Sequence, residues 1–111
     1  MSQAPQIKSI PKGVIVAIAG DIDYSVSSQL RTVIRNELDK KPQLMIIDLS
    51  GVPYMDSSGV AVLVEALQAQ TKGKRTLAVC CLQEKVRGIF EIARLDMVFK
   101  IYSSVDEAQE A

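Results

Sequence analysis

Four consecutive residues, Asp56-Ser57-Ser58-Gly59, offer the side chains with most chemical potential on this chain. The three polar ones can each accept hydrogen bonds from free N–H groups at the start of a helix. Two of them are hydroxyls that a phosphoryl group could join. Asp21 and Asp23 form a second polar cluster, in Gly20-Asp21-Ile22-Asp23. Each cluster follows an apolar run, Val14 to Ala19 for the first and Leu44 to Leu49 for the second. A further apolar run, Val60 to Leu67, leaves the serine turn, the pattern of a buried strand handing over to a helix. If the two strands are parallel, Asp21, Asp23, Asp56 and Ser57 gather at their carboxyl ends, where open α/β sheets present ligand surfaces.

Several chemistries fail on residue type. The chain has no histidine, so a Ser-His-Asp triad is impossible. Met55 and Gly59 flank Ser57 where a nucleophile elbow needs two glycines, one on each side. No Gly-x-x-x-x-Gly-Lys-Ser/Thr phosphate loop occurs, and the acids at this end would repel nucleotide phosphates. A metal held by Asp21, Asp23 and Asp56 lacks any ligand-spacing signature. Cys80 and Cys81 are adjacent; on a strand they would point to opposite faces, so they read as two reduced thiols without enough partners for zinc. The sequence therefore names no catalytic residue, no metal site and no cofactor.

A phosphorylation switch is the other reading. Phosphoserine carries about −1.5 to −2 charges at neutral pH. A helix N-terminus tolerates that charge, so the fold would survive while the outer surface changed sign. Gly59, with no side chain, would let another backbone come close. Plain capping by Asp56 or Ser57 explains the same residues, and the residues alone do not rank the switch above it.

The bulk properties narrow the class. The 111 residues are 48% hydrophobic and 23% charged, the composition of one ordinary globular domain spanning 1–111. Thirteen basic residues balance thirteen acidic ones, which gives no footing for nucleic acid. No apolar stretch is long enough to span a membrane and no signal-peptide core opens the chain, so a cytoplasmic location is expected.

Elements must position the two clusters. Residues 1–6 read as a frayed, flexible end. Ile7 to Ile10 reads as an edge strand, Pro11-Lys12-Gly13 as a turn and Val14 to Ala19 as a buried strand. Val26, Leu30, Val33, Ile34 and Leu38 recur at helical spacing, with Pro42 as a stop. Leu44 to Leu49 is the central strand. Val60, Leu63, Val64 and Leu67 mark one face of the next helix, which Gly73 closes. Thr76 to Cys81 reads as a strand, Val86, Ile89, Phe90 and Ala93 as a third helix, and Met97 to Ile101 as a short strand. Ser104 and Glu107 fit a capping box for a last helix that turns Val105 and Ala108 inward. The expected fold class is α/β, a mixed four- to five-stranded sheet flanked by about four helices.

The stretch Ile47 to Leu63, centred on Asp-Ser-Ser-Gly, resembles the signature of STAS domains, most closely the stand-alone bacterial anti-sigma factor antagonists. Gly20-Asp21-Ile22-Asp23, Ala93-Arg94-Leu95-Asp96 and the ending Ile101 to Ala108 are similar as well, in the right order over almost the whole chain. The resemblance implies partner switching without catalysis by the chain itself. The unphosphorylated antagonist binds an anti-sigma factor that is a serine kinase, the sigma factor is released, and a serine phosphatase resets the phosphorylated form. Carried over by position, Ser57 is the phosphoacceptor. Asp21, Asp23, Asp56, Ser58 and Gly59 belong to the partner-binding surface. Within the same family, a subunit of a membrane transport machine or of a large stress-signalling assembly is the alternative.

Overall fold

Val14, Ile15, Val16 and Ile18, like Leu44 to Ile47, are apolar on both faces of their strands, which suits only strands covered on both sides. They occupy the centre of the sheet in the computed structural model, which describes residues 4–111. Five strands run β1 (Gln6–Ile10), β2 (Gly13–Ala19), β3 (Leu44–Gly51), β4 (Thr76–Cys80) and β5 (Lys100–Tyr102), and they lie side by side in that order. β1 pairs antiparallel with β2; every later pair is parallel. The sheet is thus mixed, as expected, with β1 as its exposed edge. Of the expected frayed end, residues 1–3 lie outside the described residues, whereas Gln6 pairs with Ala17.

Parallel neighbours need crossovers, and these supply α1 (Tyr24–Leu38), α2 (Ser57–Lys72) and α3 (Glu84–Ile92). Strand order advances in one direction, so three crossovers of one hand place all three helices on one face. There Met45, Ile47 and Leu49 of β3 pack with Leu30, Ile34, Leu63, Ala66, Val86 and Phe90. The alternate residues Leu44 and Ile46 face the other way, against Ala108 of the short helix α4 (Val105–Ala108). Ser104 caps α4, its hydroxyl accepting the Glu107 N–H at 3.1 Å.

Two helix details depart from the periodicity. The fully buried line of α2 is Gly59, Val62, Leu63, Ala66 and Gln70; of the expected face Val60, Leu63, Val64 and Leu67, only Leu63 lies on it. Small residues sit nearest the sheet and let the helix approach, while Val60, Val64 and Leu67 flank them, half-buried. Gln70 has no solvent exposure and donates to the carbonyls of Pro42, at 3.0 Å, and Thr76, at 2.7 Å. It ties the entries of β3 and β4 to α2.

The expected strand from Met97 to Ile101 is also corrected. Arg94 adopts a left-handed φ of 59° and Leu95–Met97 forms a single 3-10 turn. Met97 and Val98 are exposed, and only Lys100 to Tyr102 reach the sheet. Phe99 makes the anchor, with its ring 5.5 Å from that of Phe90.

Candidate functional site

The loops that follow β2 and β3 are zipped together beyond the sheet proper. Gly20 N–H donates to the Gly51 carbonyl at 2.8 Å, Ile22 N–H to Tyr54 at 3.0 Å, and Asp56 N–H to Ile22 at 3.0 Å. Ile22 and Met55 form a parallel bridge between them, and both side chains are buried. Apolar side chains under the loops therefore fix the polar ones above. The loop after β4 adds a brace, since the Gln83 amide donates to the Ser50 carbonyl at 2.8 Å.

The two clusters meet as parallel strands require, and their residues divide by role. Asp23 caps α1, accepting the Ser25 N–H at 2.9 Å. Asp56 caps α2, accepting the Ser58 N–H at 2.9 Å and the Gly59 N–H at 3.4 Å. The Ser58 hydroxyl also donates to Asp56, at 2.6 Å, so that half-buried serine is occupied. Ser57, the first helical residue, is exposed, and no hydrogen bond engages its hydroxyl among the described residues. Asp21 is exposed on the rim of an apolar cleft lined by Ile18, Ile22, Val26 and Leu30.

Gly59 requires a correction. It is buried, not on the outer surface, and a Cβ there would lie 2.7 Å from both Ile22 Cγ2 and Met55 Cγ. The missing side chain lets the first turn of α2 rest on its own loops, so no approach of a foreign backbone is served. Two residues escaped the sequence reading: Tyr24, 81% exposed, and Tyr54, 45% exposed. Tyr24 directly follows the capping Asp23 and Tyr54 stands two residues before the capping Asp56, so an aromatic close to a polar helix start was the available signal.

Charge at the site is fixed by the caps. The Ser58 hydroxyl, outweighing desolvation and aided by the Ser58 and Gly59 N–H groups, holds Asp56 below the usual carboxylate range. Asp56 is therefore charged at neutral pH, beside an exposed hydroxyl at the positive end of a sixteen-residue helix. Such a surface can present Ser57 to another protein's active site and can accept an added anion without unfolding.

Comparison with known proteins fits this architecture. The profile of the STAS domain matches residues 2–108. The chain is 28% identical over 86 residues to the anti-sigma-B factor antagonist of Listeria monocytogenes, covering 78% of this chain and 75% of that one. It superposes on an anti-sigma factor antagonist from Mycobacterium paratuberculosis with a TM-score of 0.90 at 22% identity, over 96% of this chain and 91% of the other. It also superposes on the Bacillus cell fate determinant SpoIIAA in its phosphorylated form, with a TM-score of 0.75 at 18% identity, over 96% and 97%. The chain belongs to the STAS domain family. The two superpositions show that it shares the fold of those proteins. No helix among the described residues is long and apolar enough to cross a membrane.

Proposed function

We propose that this chain is an anti-sigma factor antagonist, switched by phosphorylation at Ser57. In the unphosphorylated form it binds an anti-sigma factor that is also a serine kinase, and the sigma factor is released to act in the cytoplasm. The kinase then transfers the γ-phosphoryl group of ATP to Ser57 Oγ; ADP leaves, and the hydroxyl proton passes to a base on the kinase. A serine phosphatase hydrolyses the phosphoester and restores the binding form. The chain contributes a substrate hydroxyl and a docking surface, and no catalysis.

One observation carries this reading: of two adjacent serines, Ser57 is exposed with an unengaged hydroxyl, and Ser58 is bound to Asp56. The surface around it supplies the docking area. Asp21 and Ser57 meet the partner directly, with Tyr24 and Tyr54 as aromatic contacts of the kind enriched at interfaces. Asp23, Asp56, Ser58 and Gly59 hold that surface in shape. A phosphate at Ser57 would stand beside charged Asp56, and a partner fitted to a small neutral hydroxyl loses both shape and charge match.

The test is capture of partners from the native cell, with the chain as bait, and phosphorylation of the Ser57→Ala and Ser58→Ala variants by the recovered kinase. Recovery of an ATP-binding serine kinase that modifies Ser58→Ala but not Ser57→Ala is the expected result. Phosphate on Ser58 in the Ser57→Ala variant would move the acceptor by one residue. Recovery of transporter subunits or a large sensor assembly would replace the partner.

A further inference from the structure

The two cysteines do not point to opposite faces. β4 ends at Cys80, and Cys81 turns left-handed with a φ of 66°, unusual for a residue with a side chain. That turn breaks the strand's alternation and brings both thiols to the face of α4. Asp48 is the partner of Cys80 across the β3–β4 ladder and shares this face. The Asp48 carboxylate and the two sulfurs all lie within 4.8 Å of one another.

We propose that Asp48, Cys80 and Cys81 form a mononuclear zinc site, with two thiolates, one carboxylate oxygen and a fourth position open to solvent. Tetrahedral zinc holds sulfurs at about 2.3 Å and a carboxylate oxygen at about 2.1 Å, so its ligands stand roughly 3.6–3.8 Å apart. The three side chains need to close by no more than about 1 Å. The frame is already rigid. Cys80 is buried in the ladder, and the Cys81 N–H donates to the Tyr102 carbonyl at 3.1 Å. Asp48 Oδ1 accepts the Ser50 N–H at 2.9 Å, which orients the carboxylate and leaves Oδ2 for the ion. Cys81 and Asp48 are half-buried, giving the ion a route in.

Zinc(II) held by two thiolates and one carboxylate gives a complex of net charge −1. The site uses none of the residues around Ser57, and it stands or falls independently of the switch.

Cobalt(II), a coloured stand-in for zinc, provides the test. It is titrated into the reduced full chain without oxygen. The expected result is thiolate-to-cobalt charge-transfer and tetrahedral d–d bands that saturate at one metal per chain and bleach on addition of zinc. Asp48→Asn should weaken binding by at least about tenfold, the lower end of what losing even an outer-shell partner costs, Cys81→Ser should abolish the two-thiolate spectrum, and Ser57→Ala should bind as the parent does. Circular dichroism checks that the variants fold, and if Cys81→Ser does not, Asp48→Asn decides. Absence of the bands, parental affinity in Asp48→Asn, the same spectrum in Cys81→Ser, or saturation at half a metal per chain would each overturn the site.

Discussion

The Asp56 carboxylate accepts both the backbone N–H of Ser58, at 2.9 Å, and its hydroxyl, at 2.6 Å. This double grip starts α2 and separates two serines of identical chemistry. Ser58 becomes part of the cap, and Ser57 is left facing out. Asp56→Ala should therefore lower the denaturation midpoint, while Asn, which keeps an acceptor, should cost less. Since the folded-state pKa of Asp56 lies below the ordinary value, the unfolded chain binds the proton more readily. The stabilisation is present above about pH 4 and is lost as pH falls through the lowered pKa. Urea midpoints of parent and Asp56→Asn should converge between pH 7 and pH 3; a gap constant with pH would contradict this.

Ser57→Asp should weaken the complex with the recovered kinase by about tenfold or more in Kd, through like-charge contact and bulk at the interface. The effect should fall short of phosphorylation, which adds nearly twice the charge. Isothermal titration would read it, and unchanged affinity would remove Ser57 from the interface.

Gly59→Ala tests close packing. In an open helix the change would gain about 1 kcal/mol. Here the new methyl meets Ile22 and Met55, and overpacking costs about 1–3 kcal/mol. A net fall in stability is expected, with loosening of the bridge between the two loops visible in hydrogen exchange of Ile22 and Asp56. A rise in stability would show that the loops give way freely.

Leu63 has no solvent exposure and lies on the α2 line against the sheet. Leu63→Ala should destabilise by about 2–5 kcal/mol, read from chemical denaturation. A midpoint equal to that of the parent would mean that the core closes over the lost side chain.

The central strands and the three crossover helices were legible because a both-sided apolar run and a 3.6-residue period are local facts, and β2, β3 and α1 fall where those patterns stand. The short segment from Met97 to Ile101 was misread because five residues, four of them apolar, carry no sign of the left-handed Arg94 that precedes them. Gln70 is polar in sequence and fully buried in the fold, since its value lies in carbonyls contributed by Pro42 and Thr76.

The sequence by itself determined the α/β class, the order of the elements and the place of the serine turn at a strand-to-helix junction. These depend on residue type and spacing along the chain. Only the tertiary structure decided that Asp56 occupies Ser58 and not Ser57, that Gly59 packs inward, and that Cys80 and Cys81 share a face with Asp48. Each of those outcomes turns on a backbone angle or on a neighbour remote in the chain, and neither is written in the local pattern of side chains.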